Sequence, residues 1–147
     1  MEGRHKIFEE IIDLYNNPSP GFSVTPVNSY RRHFHAVMAG PVGSPYEGGL
    51  FKLVFFIPDN YPASPPRARF LTKIFHPNID REGFVDMNIL RFGWSSVIKL
   101  RTLLLCIKAL LAHPNINNAI ENVDFWKSMT EEATEQAKNW TTNYAMA

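Results

Sequence analysis

Four short β-rich runs crowd between Phe22 and Phe70: Phe22 to Thr25, Arg32 to Met38, Phe51 to Ile57 and Arg67 to Phe70. Turn clusters at Pro26 to Ser29, Ala39 to Gly49 and Pro58 to Pro66 separate them. The close spacing, with the alternation through His33, Phe34, His35, Ala36, Val37 and Met38, predicts an antiparallel meander with one covered face. The 11 prolines and 11 phenylalanines suit proline-punctuated loops around a sheet better than a helical bundle.

Helices flank this region. From Arg4 to Asn17 the residues Ile7, Phe8, Ile11, Ile12, Leu14 and Tyr15 recur at spacings of three and four and predict one apolar helix face, ended by Pro18 and Pro20. Lys99 to Ala112 carries a wider stripe of Leu100, Leu103, Leu104, Ile107, Leu110 and Leu111, which predicts the central helix. His113, Pro114 and Asn115 stop it. A short helix is expected near Ile120 to Met129, and a last one from an N-cap at Thr130, with Glu131 and Glu132 in its first turn, to about Met146. The irregular stretch from Leu71 to about Val97 is long for a compact domain, and such loops usually carry function. The expected fold is α+β, a single domain over residues 1–147 without repeat or linker: one helix, a four-stranded meander, a long loop and three C-terminal helices.

Composition removes several classes of function. With 45% apolar and 20% charged residues and a mean hydropathy of -0.19, the chain is an ordinary globule, not a disordered, collagenous or coiled-coil protein. A net charge of +1 supplies no global field toward nucleic acid or anionic lipid, so neither is expected as a partner. One cysteine, Cys106, excludes a disulfide framework and suits a reducing compartment. Without an apolar h-region near the start or a run of about eighteen apolar residues, the expected location is cytoplasmic or nuclear. Cys106 sits inside the leucine stripe and is expected as a small buried hydrophobe, poor as a nucleophile. His5, His33, His35, His76 and His113 form no H-x-x-x-H pair, so no metal is expected. No phosphate-binding glycine loop or hydrolase elbow occurs, and no cofactor is expected.

The residues left over are specific. Tyr61-Pro62-Ala63-Ser64-Pro65-Pro66, then His76-Pro77-Asn78, then Trp94, then the tail Trp140-Thr141-Thr142-Asn143-Tyr144-Ala145-Met146 stand in an order and spacing that resembles the ubiquitin-conjugating enzymes. Tyr46-Glu47-Gly48-Gly49, Arg67 to Ile74 and Leu100-Arg101-Thr102 are most similar to the branch that pairs with a cysteine-less variant subunit. The resemblance spans the whole chain and implies the family's fold, with Trp126 and Trp140 as packing anchors of the tail.

It also implies where chemistry should sit, and there this chain departs. The family's nucleophilic cysteine falls eight residues after the Asn of His-Pro-Asn; here Gly83-Phe84-Val85-Asp86-Met87-Asn88-Ile89-Leu90 puts Asp86 at that position. A thiolate both attacks and leaves well in thioester exchange, whereas a carboxylate would form a mixed anhydride, uphill and quickly hydrolysed. Asn78 occupies the family's oxyanion-stabilising position, although without an acyl intermediate a loop-bracing role is expected for His76, Pro77 and Asn78. Asn118 stands where the family has an Asp near the incoming lysine, and an amide cannot act as a base.

The surfaces that the resemblance assigns to partners have changed as well. Toward a ligase the chain offers Glu9 in place of a Lys, Ala63 in place of Phe or Met, and Ser96 in the loop after Trp94. Each such loss costs on the order of 1–3 kcal/mol at an interface hot spot. Toward a variant subunit, Phe56 and Arg69 match the family's contacts, while Val54 replaces a Glu and Glu82 a Leu; Phe56 and Arg69 could equally serve the sheet alone. The resulting expectation is a catalytically inactive member, a binding or regulatory module in ubiquitin signalling whose partner is a variant subunit, a ligase, a deubiquitinase or ubiquitin. The alternative is a transferase whose catalytic cysteine has been replaced by Asp86.

Overall fold

The leucine stripe after Lys99 and the inward half of each β-run need one another to leave water, and that pairing organises the molecule. The computed structural model describes residues 2–25, 33–115 and 130–146. In chain order these form helix α1 (Glu2–Asn16), strands β1 (Phe22–Thr25), β2 (His33–Ala39), β3 (Leu50–Phe56) and β4 (Arg67–Phe70), a 3₁₀ turn at Asn88–Leu90, helix α2 (Leu100–Ala112) and helix α3 (Thr130–Trp140), which widens into a π-helical turn at Thr141–Ala145.

The sheet is the expected meander, in the order β1-β2-β3-β4 with every pair antiparallel. The strands keep their expected places to within one residue: β2 ends at Ala39 and β3 starts at Leu50, where Gly40 N–H donates to Gly49 O at 2.9 Å and closes the pair. Register puts Phe34 opposite Phe55, and their rings stack at 4.9 Å on the inward face. Against that face lie Leu100, Leu103, Leu104, Ile107 and Leu111 of α2, all fully buried, while Leu110 is only partly covered. Cys106 is half-buried, not enclosed as expected, because a pitch of about 3.6 residues sets it on the flank of the stripe.

Two helices needed correction or could be followed only in part. In α1 the expected apolar face is wider than the buried one: Ile7, Ile11 and Leu14 reach the core, but Phe8, Ile12 and Tyr15 are exposed. The helix expected near Ile120 to Met129, with Trp126, lies outside the described residues. In α3, Ala133 and Ala137 are buried, and small side chains let the helix approach closely. The chain stays helical to Ala145, and Trp140 acts as the expected anchor, with ring centroids 5.5 Å from Phe75 and 5.8 Å from Tyr144.

Polar ties join the start of α2 to α1. Glu10 accepts hydrogen bonds from the Tyr61 hydroxyl at 2.6 Å and from the Leu100 N–H at 2.9 Å, so one carboxylate caps α2 and holds the Tyr61 turn. Arg101 reaches back to Ser19, Asp13 and the Asn17 carbonyl, and its hydrogen bond holds the exposed Asp13 carboxyl below its usual range. Glu10→Ala leaves both donors without this acceptor and should cost about 2 kcal/mol of unfolding free energy. Urea denaturation of Glu10→Ala beside Glu135→Ala, an exposed glutamate of α3, measures it; equal midpoints would refute the capping role.

Candidate functional site

After β4 the backbone turns inward, and Ile74 through Ile79 are all buried. Buried polar groups need partners, and this loop finds them in distant segments. Tyr46, fully buried after β2, donates its hydroxyl to the Phe75 carbonyl at 2.6 Å, and burial raises its phenol well above its ordinary value. His76 Nδ1 accepts the Asn78 N–H at 3.0 Å, which leaves the ring proton on Nε2, 2.8 Å from the Leu110 carbonyl at the end of α2. Burial pushes this imidazole down to about 4, so it is neutral near pH 7.

Asn78 is held at both ends of its carboxamide. Its Oδ1 accepts the Asn115 N–H at 2.8 Å and its Nδ2 donates to the Asn115 carbonyl at 2.9 Å. This reciprocal pair braces the loop against the chain just beyond α2, so an oxyanion would compete with a hydrogen bond already made. The Asn78 carbonyl accepts the Asp86 N–H at 2.8 Å, which sets position 86 beside the His-Pro-Asn turn.

Asp86 itself is engaged. Its Oδ1 lies 2.9 Å from Arg91 Nη2, the Asp86 side chain being 27% and the Arg91 side chain 56% exposed. The 3₁₀ turn Asn88–Leu90 curls the chain so that Arg91, five residues on, points back at position 86. At this exposure the pair contributes on the order of 1 kcal/mol or less, but it occupies the carboxylate. The arrangement offers neither a thiol nor a metal site: among the described residues no group of three His, Cys, Asp or Glu could hold an ion. Asn118 lies outside the described residues.

The other expected positions fall on two surfaces. Trp94 donates its indole N–H to the Pro62 carbonyl at 2.9 Å and packs on Tyr61 at 6.0 Å, which brings exposed Ala63 and exposed Ser96 to the same end of the molecule. On the sheet's outward side, Val54 pairs with Arg69 and Phe56 with Arg67. Phe56 is 38% exposed, but Val54 is 4% exposed and offers a partner almost no area. Arg69 Nε donates to the Glu82 carbonyl at 2.8 Å, which puts exposed Glu82 at the rim of this patch.

Sequence reasoning missed two members of the patch. The Phe84 ring lies 4.2 Å from Arg67 Cζ and 5.4 Å from Arg69 Cζ, with the Phe56 ring 6.5 Å away. The period of two in a strand already put Arg67 on the same face as Arg69; nothing local signalled Phe84, which arrives from the loop. A cavity of about 710 Å³ opens between β4, residues 71–83 and α3, with Arg69, Phe75 and Trp140 among its walls; Asp86 is not among its described lining.

The sequence that builds this site has counterparts among known proteins. The family model described as "Ubiquitin-conjugating enzyme" matches residues 6–144. The chain is 43% identical over 143 residues to "Ubiquitin-conjugating enzyme E2 N" of Drosophila melanogaster, spanning 96% of this chain and 95% of that one. A protein of the same name from Macaca fascicularis is 44% identical over 143 residues, with 96% and 94% covered. "Ubiquitin-conjugating enzyme E2 13" of Saccharomyces cerevisiae is 42% identical over 142 residues, with 95% and 93% covered.

Proposed function

Since the chain belongs to the ubiquitin-conjugating enzyme family yet bears an aspartate at the position where the resemblance puts the nucleophile, we propose that it conjugates nothing and serves as a binding or regulatory module in ubiquitin signalling. The observation that carries this reading is Asp86, ion-paired with Arg91 and bonded through its N–H to the Asn78 carbonyl. A carrier must attack an incoming thioester, hold the acyl group and release it. Carboxylate attack would expel the thiolate and leave an acyl anhydride, which water cleaves faster than a lysine could collect it. Cys106 stands on α2, half-buried, and is not placed as a substitute. Its partners would be proteins of the ubiquitin system, met through the Phe56 and Arg69 surface or the Ala63 and Ser96 end, in the cytoplasm or nucleus.

The His76-Pro77-Asn78 run and the similarity to ubiquitin-conjugating enzymes along nearly the whole chain favour a second reading, a transferase whose catalytic cysteine has been replaced by Asp86. A charging reaction with activating enzyme, ATP and ubiquitin, run on the native chain beside Asp86→Cys, decides between them. The native chain should give no reductant-labile adduct. Asp86→Cys should discharge onto free lysine at least about a hundredfold more slowly than an active family member, because Asn118 replaces a base and general-base loss typically costs that much. Ordinary loading and discharge by Asp86→Cys would favour the transferase; an adduct on the native chain would refute the proposal outright.

A further inference from the structure

An H-x-x-x-H spacing brings two imidazoles to one face of a helix, but on a strand the spacing that does so is H-x-H, because side chains alternate with a period of two. His33-Phe34-His35 has that spacing and lies in β2. Phe34 turns inward and is fully buried, so both histidines stand on the outward face, His35 exposed and His33 half-buried. Their ring centroids are 5.9 Å apart and the planes are inclined at 38°.

Two imidazoles fixed on one strand can chelate a late first-row divalent ion, which takes nitrogen at about 2.0–2.1 Å. With that bond length on both sides, a tetrahedral ion would set the two ring centroids about 5 Å apart. The pair has to close by less than about 1 Å, and the broad χ2 torsion of histidine permits this at small cost. The immediate neighbours across the sheet carry no charge: register places exposed Thr25 of β1 on one side of His35, with Val54 opposite His35 and Phe56 opposite His33 on β3. The cations of this face stand further off. Lys52, opposite Val37, is a diagonal neighbour of His35 about 7–8 Å away, and Arg69 and Arg67 lie two strands across, about 10 Å, so salt weakens their repulsion of an incoming ion. No outward position of the four strands is Asp, Glu or Cys, so water would complete the ion's shell.

We propose that His33 and His35 form a two-imidazole site on β2 for a late first-row divalent metal ion, Zn²⁺ by its affinity for nitrogen and its tetrahedral preference, with water in the remaining positions. Mg²⁺ and Ca²⁺ do not fit, since these hard ions take oxygen ligands and the pair offers none. The site is open to solvent on the side of His35, which gives an ion a path in. Nothing in this inference depends on whether position 86 can hold an acyl group.

The test is an NMR titration of the full chain, without an affinity tag, in which the imidazole C–H resonances are followed as Zn²⁺ is added. Those of His33 and His35 should move together and reach half-saturation below about 1 mM, while those of His113, exposed beyond α2, stay in place. Mg²⁺ at the same concentrations should move neither. His33→Asn and His35→Asn should each raise the half-saturating Zn²⁺ concentration at the remaining histidine by at least about tenfold, because the second ligand no longer binds within the same molecule. His113→Asn and Cys106→Ser should leave it unchanged. No response of the pair up to about 1 mM Zn²⁺, an equal response to Mg²⁺, unchanged half-saturation in both single variants, or loss of binding with Cys106→Ser would each overturn the proposal. An adduct on the native chain in the charging reaction would refute the non-conjugating reading with the metal result still standing.

Discussion

Gly83→Ala should destabilise the protein by about 3 kcal/mol or more, far beyond the usual cost of replacing a glycine. Gly83 has φ +98°, and a Cβ there would lie 2.1 Å from the Phe70 carbonyl oxygen. That oxygen belongs to β4, whose Phe70 N–H donates to the Gly83 carbonyl at 2.8 Å, so neither side can yield without parting the loop from the strand. Gly43 separates the two effects, since it has φ +85° with nothing within 4 Å of its Cβ direction. Gly43→Ala carries the backbone term alone, about 1–2 kcal/mol. The difference between the two variants, from urea unfolding at matched slopes, measures the close approach at Gly83. Equal losses would mean that the loop gives way freely.

Stability should also drop by about 2.5 kcal/mol between pH 7 and pH 4.5 because of His76. In the folded chain burial holds this imidazole down at about 4, against 6.5 for the free side chain. Between those values the unfolded chain binds a proton that the native chain does not, so stability rises with pH across the window. The contribution is complete above about pH 6.5 and is lost as the pH falls through about 4. Protonation would force a second N–H onto Nδ1, where the Asn78 N–H already points, so the charged ring loses a hydrogen bond as well as its hydration. Unfolding free energies at pH 7 and pH 4.5 for the native chain and His76→Gln isolate the effect, because the carboxylates are common to both. The variant should be less stable at pH 7 and show a shallower slope. Parallel profiles would assign the acid sensitivity to other groups.

How far the amino-acid order can be read depends on whether the information lies in neighbouring residues or in remote ones. The leucine stripe of α2 and the alternation of β2 each state which face turns inward, because a period of 3.6 or 2 is written along a few consecutive residues, and both faces are observed. The proposal that Asp86 cannot hold an acyl group likewise rests on one side chain, argued from oxygen against sulfur, although the resemblance was needed to single that position out. The same local logic overreached in α1, where Phe8, Ile12 and Tyr15 carry the helical spacing yet stay exposed, since periodicity records that residues share a side and not that anything covers them.

Only the fold could decide the partnerships. Asn78 clasps the backbone of a residue 37 positions away, Glu10 caps a helix 90 positions away, and Phe84 leaves its loop to sit beneath two strand arginines. Residue type fixes what each group is able to donate, accept or repel; which group it meets depends on how packed elements bring remote segments within about 3 Å, and no local pattern encodes that distance. The amino-acid order alone therefore determined the four strands, the inward faces of β2 and α2, and the residue type that stands at position 86. Tertiary packing decided that the carboxylate is held by Arg91, that the Asn78 amide is spent on bracing the loop, and that two guanidiniums share one ring with no carboxylate paired to either among the described residues.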